Sequence, residues 1–207
     1  MNILVVNCGS SSLKFQLVDS ETEQVKASGN CERIGFDGKI VYKSGGKKTE
    51  TETSLPDHAV AISKVLDMLT DLKDGVISSL DEIHAIGHRL VHGGEKFSSS
   101  VVIDEDIIKE IETCNDLAPL HNPANILGIR ACQRAMPRIK HVAVFDTAFH
   151  QTMPAKAYLY GLPKEYYSKY GVRRYGFHGT SHSFVSKRLA ELAGLDYENS
   201  KLIICHI

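Results

Sequence analysis

Five short segments of the sequence concentrate residue types that bind anions, hold metal ions or transfer phosphoryl groups. In chain order they are NCGSSSLK, GHRLVHGGE, LAPLHNP, FDTAFH and RRYGFHGTSH, which begin at residues 7, 87, 117, 145 and 173. The first contains a Gly/Ser turn, where backbone N–H groups and hydroxyls converge on a possible anion. Lys14, in phase with Ser12, adds a positive charge for a phosphate. The spacing is not that of a P-loop, and a plain Ser-rich hairpin turn stays open as the alternative.

The second segment combines an arginine with two histidines. Arg89 follows an apolar stretch and could clamp a carboxylate or phosphate through two parallel hydrogen bonds, although a surface ion pair is equally compatible with its position. His88 and His92 have the four-residue spacing of helical zinc sites, so a metal hydrolase that also uses Asp146 is one hypothesis. Flanking glycines favour a strand that enters a loop, and the HExxH glutamate is absent. A metal hydrolase is therefore the least favoured of the functions that the sequence suggests.

The other three segments place polar groups where a strand or helix is expected to end. Asp146 follows a β-rich apolar run, the position at which ligands approach α/β sheets, and it could hold a metal or orient a nucleophile. A helix-capping aspartate is the alternative. His121 lies near a helix start, in a loop that could equally be packed on the core. In the fifth segment, arginines and histidines crowd a helix N-terminus, which favours anions; the alternative is a basic surface loop.

The hydropathy pattern predicts the elements that would position these groups. Strands are predicted over residues 2–8, 13–18, 83–91 and 141–145, with further short strands within 25–52. Helices are predicted over 57–73, from an Asp104 cap to about Cys114, from Asn122 and Pro123 to about Met136, and from a Thr180 or Ser181 cap to about Gly194. This mixture of strands and helices indicates an α/β or α+β protein.

The last seven residues, KLIICHI, have the composition of a buried strand. No turn, cap or polar tail follows them, whereas the end of a natural domain is usually polar and frayed. We therefore expect the chain to be the first part of a longer protein. We also expect a domain boundary within residues 146–154, where a predicted strand ends.

Composition narrows the class of protein. The 207 residues are 43% hydrophobic and 24% charged, which is typical of one or two globular domains. Because 24 basic residues balance 25 acidic ones, a dedicated nucleic-acid surface or polybasic membrane anchor is not expected. No signal peptide or membrane-spanning stretch is apparent. The five scattered cysteines form no CxxC pair and predict reduced thiols in a cytoplasmic protein.

Taken together, the five segments closely resemble the acetate kinase family, within the acetate and sugar kinase/Hsc70/actin superfamily. The similarity covers residues 1 to 207, and the terminal LIICHI resembles the start of a Gly-rich adenine-nucleotide loop, in which Ile207 replaces the usual Leu. The resemblance implies an α/β fold of the actin-like ATPase (ribonuclease H-like) type, with a mixed sheet and helices. It also implies a carboxylate- and phosphate-binding domain over 1–148 and the truncated start of a nucleotide-binding domain over 149–207.

The resemblance implies a reversible, Mg²⁺-dependent transfer of the γ-phosphoryl group of ATP to acetate. A carboxylate with a pKa of about 4 needs no deprotonation at neutral pH, so catalysis requires positioning and charge neutralisation. The implied roles are Mg²⁺ binding for Asn7; the phosphate path for Ser10, Ser12 and Lys14; the carboxylate clamp for Arg89; the methyl pocket for Val91, Leu120 and Phe177; catalysis for Asp146, His121 and His178; and nucleotide binding for His206 and Ile207.

Two alternatives to acetate kinase remain at this point. Propionate kinase is a close neighbour, because a methyl pocket discriminates by only about 1–3 kcal/mol per methylene. A non-catalytic carboxylate- or phosphate-binding fragment is the alternative from another class.

Family members continue further, with a second catalytic arginine, most adenosine contacts and a late Mg²⁺-binding glutamate. We therefore expect the 207-residue chain alone to be inactive or nearly so, and the full-length family member to be a cytoplasmic homodimer without nucleic-acid or membrane partners.

Overall fold

One eight-stranded mixed sheet organises the chain, and the computed structural model describes residues 1–207. The strands are Asn2–Cys8 (β1), Leu13–Asp19 (β2), Val25–Glu32 (β3), Lys39–Ser44 (β4), Lys47–Glu52 (β5), Ile83–Leu90 (β6), Val101–Val102 (β7) and Lys140–Phe145 (β8). The helices are His58–Leu69 (α1), Glu105–Glu112 (α2), Asn122–Ala135 (α3), Ala155–Tyr158 (α4), Lys164–Tyr170 (α5) and Gly179–Ala193 (α6). None of the helices combines the length and apolar character needed to cross a membrane. The predicted α/β class, with a mixed sheet and helices, is confirmed.

The chain divides into two compact units. One comprises Met1–Leu90 and Val101–Val144, and the other comprises Val91–Ser100 and Phe145–Ile207. The functional domains that the resemblance implies, 1–148 and 149–207, concern what each part binds and stay a prediction.

The first strand lies inside the sheet, whose order is β5-β4-β3-β2-β1-β6-β8-β7. It pairs antiparallel with β2 and parallel with β6. Leu4, Val6 and Cys8 are buried on one face, and β2 adds Leu13 and Phe15 to the same core. This alternation confirms the strand–turn–strand opening predicted for the first 18 residues.

Helix α1 covers part of this core. The Asp57 side chain caps it by accepting a hydrogen bond from the Val60 amide at 2.8 Å. Ile62, Val65 and Leu69 recur at three- and four-residue intervals and are buried, and each fully buried aliphatic side chain contributes about 1.5–3 kcal/mol.

The predicted end of this helix, at residue 73, was wrong. Helix α1 stops at Leu69, and Leu72 is fully exposed. The Asp71 carboxylate accepts the backbone N–H groups of Lys73 and Asp74 at 2.8 and 2.9 Å. This local turn competes with continuation of the helix, which is why the apolar period overestimated its length.

The strand predicted for residues 201–207 was also wrong. These residues have no regular secondary structure, and Ile203 and Ile207 are exposed. None of these residues pairs with a strand of the sheet. Without a neighbouring strand, an apolar β-rich sequence has no ladder to join.

Two buried histidines join neighbouring strands of the sheet. His88 on β6 and His141 on β8 stack with ring centroids 5.3 Å apart, and His88 Nε2 lies 3.0 Å from His141 Nδ1. His141 Nε2 donates to the Met136 carbonyl at 3.3 Å, so in a neutral His141 ring Nδ1 is the acceptor and His88 Nε2 is the donor. Burial, with His141 as a second cause, lowers the pKa of His88 to about 3, and burial also lowers the pKa of His141.

We predict that this pair makes the protein less stable as the pH falls below neutrality. An unfolded histidine has a pKa near 6.5, so the unfolded chain takes up protons that the folded His88 rejects. The stability that the folded protein gains by keeping His88 neutral is fully present above about pH 6.5 and is lost progressively as the pH falls towards 3. Between pH 6.5 and 4.5 the free energy of unfolding should decrease by roughly 2 kcal/mol on account of His88.

Urea unfolding at a series of pH values measures this slope. His88→Gln should flatten it, whereas His84→Gln, which changes an exposed histidine of the same strand, should retain it. Equal slopes in the wild type and His88→Gln would contradict the prediction.

Candidate active site

A row of polar side chains crosses the sheet on the face opposite the core. The strand register places Asn7 beside Lys14, and Lys14 beside Asn30. On the other side of β1, Arg89 Nη1 donates to Asn7 Oδ1 at 3.3 Å. Asn7, Lys14 and Asn30 line an open groove of about 350 Å³ to which Lys43 also contributes. Several positive charges and amide groups thus lie close together, an arrangement that suits an anion.

The Gly/Ser turn at the end of β1 is held in place from the core side. Gly9 N–H donates to the Ser12 carbonyl at 2.8 Å, which closes the turn. His58 Nε2 lies 2.8 Å from the Gly9 carbonyl, and Asn125 Nδ2 donates to the Cys8 carbonyl at 2.5 Å. The first residue of α1 and a residue of α3 therefore fix the turn, while Ser10 faces solvent.

Sequence reasoning missed both of these anchors. Neither His58 nor Asn125 is among the candidate residues named from the sequence. Their partners lie 49 and 117 positions away in the chain. No local spacing could have identified them.

Leu120 and His121 lie directly before α3 in the same unit. His121 occupies the N-cap position but makes no side-chain capping bond, and its side chain is exposed. Leu120 is 78% exposed. The alternative of a loop packed on the core is therefore wrong for these two side chains, which are accessible to a ligand.

In the second unit, Asp146 and His178 are neighbours. Asp146 follows β8 and is buried, and its Oδ2 lies 3.9 Å from His178 Nδ1. The Asp146 carbonyl also accepts the Gly179 N–H at 2.8 Å, and a Cβ atom at Gly179 would lie 2.3 Å from that carbonyl oxygen. The close approach that brings His178 to Asp146 therefore requires glycine at position 179.

The predicted helix cap was wrong at this point. Helix α6 begins at Gly179, so Thr180 and Ser181 lie inside its first turn and His178 is the N-cap residue. His178 has φ 54° and ψ 28°, in the left-handed region that costs a non-glycine residue roughly 1–2 kcal/mol. The backbone carbonyl of Asp146, rather than a hydroxyl side chain, pairs with the first amide of α6. Backbone strain of this kind concentrates at functional sites.

His206 lies next to the same helix end. Its ring stacks on His178 with centroids 4.2 Å apart, and its Nδ1 lies 3.0 Å from Ser181 Oγ. The two imidazoles and the N-terminus of α6 can all present donors to an anion. Ile207 is exposed and makes no comparable contact in the hydrogen-bond or aromatic network.

An aromatic cluster surrounds His92 in the second unit. Its ring packs edge-on against Tyr175 and Phe177, with centroids 4.5 and 5.6 Å apart. His92 is buried, Phe177 is 46% exposed, and Val91 is partly buried. Of the three residues expected to form an apolar methyl pocket, Val91 and Phe177 belong to this unit and Leu120 to the other.

Arg173 supports this cluster and is not an accessible donor. It pairs with Glu95 through Nη1, and its guanidinium lies 3.6 Å from the centroid of the Tyr158 ring and 5.0 Å from that of Tyr175. Its side chain is almost completely buried. The interpretation of the two neighbouring arginines as ligands for a phosphoryl group was therefore wrong for Arg173. Only the fold could reveal its pairing with a glutamate 78 positions earlier.

The metal-hydrolase hypothesis finds no support. His88 is bound to His141 in one unit, whereas His92 lies in the aromatic cluster of the other. No three His, Cys, Asp or Glu side chains of the chain are arranged to hold a metal ion.

We predict that Arg173→Leu destabilises the second unit. The change removes the cation from between two tyrosine rings and from Glu95, and because Glu95 is partly exposed the loss should be limited to roughly 2–3 kcal/mol. Thermal unfolding followed by near-ultraviolet circular dichroism measures the effect. Arg174→Leu, at the exposed neighbouring position, is the matched control and should change stability little; an equal loss in both variants would refute the prediction.

The chain is similar over its whole length to proteins of known name. The acetate kinase of Agathobacter rectalis is 65% identical over 208 residues, covering 100% of this chain and 52% of that protein. The acetate kinase of Lachnoclostridium phytofermentans is 64% identical, with 53% of its length covered. The chain therefore spans about half the length of the curated relatives it matches.

Solved structures show the same similarity. The crystal structure of Porphyromonas gingivalis acetate kinase matches with a TM-score of 0.91 and 49% identity, over 95% of this chain and 50% of that one. A propionate kinase from Francisella tularensis matches with a TM-score of 0.87 and 44% identity, over 94% and 50% of the two chains. The family model described as the acetokinase family matches residues 2–207. Because that model spans nearly the whole chain, this chain belongs to the acetokinase family.

Proposed function

We propose that the protein is an acetate kinase, which transfers the γ-phosphoryl group of ATP reversibly to acetate, and that this chain supplies its carboxylate- and phosphate-binding groups. The contact of Arg89 with Asn7 beside Lys14 carries the proposal, because it concentrates anion-binding groups in a chain 65% identical to a protein named acetate kinase. ATP and acetate are both anions. Their reaction depends on holding the two reactants in line and neutralising their charge.

In this proposal the first unit binds the charged parts of the substrates. Arg89 holds the acetate carboxylate through its planar guanidinium, and Lys14 attracts the phosphate as a point charge. Ser10, Ser12 and the N–H groups of the turn line the phosphate path. His121 donates to the transferring phosphoryl group, and Leu120 contributes to the methyl pocket.

The second unit contributes the remaining groups. His178 donates to the transferring phosphoryl group and stabilises its charge, with Asp146 behind it to orient the imidazole. Val91 and Phe177 provide apolar surface for the methyl group. His206 and Ile207 begin the nucleotide-binding loop.

The residues present are compatible with Mg²⁺. Asn7 Oδ1 and the Asp146 carboxylate are the hard oxygen ligands that this ion prefers. Asn7 Oδ1 already accepts from Arg89, and its second lone pair can serve a cation. We propose that Asn7 holds the ion and that Asp146 acts near it. When bound, Mg²⁺ neutralises charge on the nucleotide phosphates.

Propionate is a second candidate substrate. The observation that favours it is the similarity of the chain to the Francisella tularensis propionate kinase, with a TM-score of 0.87. One methylene changes the selectivity of an apolar pocket by only roughly 10–200-fold. A single site could therefore accept both acids at different rates.

The proposal extends to the context of the protein. We infer a cytoplasmic homodimer whose partners are small molecules, with no nucleic-acid or membrane partner, and the family assignment is the support for this. If the isolated chain shows no turnover, the alternative applies, and the chain is a non-catalytic carboxylate- or phosphate-binding fragment.

We predict that the 207-residue chain alone forms acetyl phosphate at least about 1,000-fold more slowly than a chimaera that completes it. The chimaera joins this chain to the part of the Agathobacter rectalis acetate kinase that the chain does not match. The expected difference corresponds to the loss of one phosphoryl-transfer arginine. Trapping acetyl phosphate as its hydroxamate, with ATP, Mg²⁺ and acetate, measures both rates. A chimaera that folds but forms no acyl phosphate from either acid would refute the proposed function.

We predict that Arg89→Ala lowers kcat/KM for acetate in the chimaera by roughly 100- to 1,000-fold. The change removes two charge-assisted hydrogen bonds to the carboxylate. Arg89→Lys should recover part of the loss, because it keeps the charge without the planar fork.

Arg138→Ala is the matched control, since Arg138 is 88% exposed and its ion pair with Asp81 lies at the surface. It should leave kcat/KM unchanged. A decrease of less than about threefold in Arg89→Ala would contradict the role assigned to this residue.

A further inference from the structure

His92 is a buried histidine to which the proposed reaction assigns no role. It is 1% exposed and follows Val91, which the proposal places in the methyl pocket. Its ring meets those of Tyr175 and Phe177 at 69° and 70°, so it packs edge-on against both. Such contacts fix the relative orientation of aromatic rings.

The hydrogen bonding of His92 excludes a charged state. The Gly94 N–H donates to His92 Nδ1 at 3.0 Å, so this nitrogen carries no proton. Burial also lowers the pKa of His92 to about 4. At neutral pH the ring is an uncharged body of fixed orientation, which suits it to packing rather than to proton transfer.

The two rings that His92 contacts are not equally constrained. Tyr175 donates its hydroxyl to the Gly171 carbonyl at 3.0 Å and also lies under the guanidinium of Arg173. Phe177 is apolar, makes no such bond and is 46% exposed. Its aromatic contact is with His92. His92 thus packs between the Tyr175 ring, which the Gly171 carbonyl and Arg173 hold, and the exposed Phe177 ring. Through this contact it restrains the Phe177 ring.

We infer that His92 is a positioning residue that holds Phe177 in place and thereby sets the depth of the acyl pocket, which favours acetate over longer carboxylic acids. This inference rests on the proposed function, since it concerns the substrate selectivity of the same site. Removal of the His92 ring opens space behind Phe177. The Phe177 ring can then recede and make room for an additional methylene.

The ratio of kcat/KM for acetate to that for propionate tests the inference in the chimaera. His92→Ala should lower this ratio by about 10-fold, mainly through the KM values, with kcat little changed. His92→Phe retains an aromatic ring of similar volume and should keep the ratio within about twofold of the wild type. Because both acids are measured on the same preparation, a ratio does not depend on the fraction of folded protein.

Fluorine NMR of the 207-residue chain tests the positioning without any turnover. With 4-fluorophenylalanine at position 177, the wild type and His92→Phe should each give one sharp resonance. His92→Ala should give a shifted or broadened one. His84→Ala, at an exposed histidine of β6, is the control and should match the wild type.

Two results would overturn the inference. One is an unchanged acid ratio in His92→Ala, even if its activity or stability falls, because that pattern belongs to a purely structural residue. The other is a Phe177 resonance that is identical with and without the His92 ring. An inactive wild-type chimaera would instead contradict the proposed function, and the fluorine signal would still decide whether His92 positions Phe177.

Discussion

The pairing of β1 on both of its edges is the constraint on which the candidate site depends. Five of the seven residues of this strand are apolar, and its backbone groups are satisfied by β2 on one side and β6 on the other. A shift of one residue would turn Leu4 and Val6 to the outer face, so the register is strongly determined. The same register brings Asn7 between Lys14 and Arg89. Core burial thus positions the polar row.

The second unit positions its groups by a different means. Gly179 lies so close to the Asp146 carbonyl that no side chain fits, and His178 adopts a left-handed backbone conformation beside it. The cost of that conformation is offset by the hydrogen bond between Gly179 and Asp146 and by the length of α6 that follows. The result is an imidazole held near a buried carboxylate at a helix N-terminus, where negative charge is favoured.

Environment divides the histidines into two groups with different chemistry. His88, His92 and His141 are buried, and burial lowers the pKa of each, so they serve as neutral packing and hydrogen-bonding groups. His121 and His178 are accessible at the ends of helices. Their ring nitrogens can donate to an anion that approaches from solvent. Stability and proposed catalysis therefore rely on the same residue type in opposite surroundings.

The sequence by itself determined the features that depend on a few neighbouring residues. The alternation along β1 and β2, the Asp57 and Asp104 caps and the position of Asp146 after β8 follow from local periodicity and hydrogen bonding. Five co-ordered segments were enough to identify the family. Other features depend on partners far away in the chain: the His58 contact with Gly9, the Arg173 pair with Glu95, and the start of α6 at Gly179. The prediction of a strand over residues 201–207 was wrong for the same reason. β-Propensity describes a preference, whereas only a neighbouring strand can pair with the backbone N–H and C=O groups.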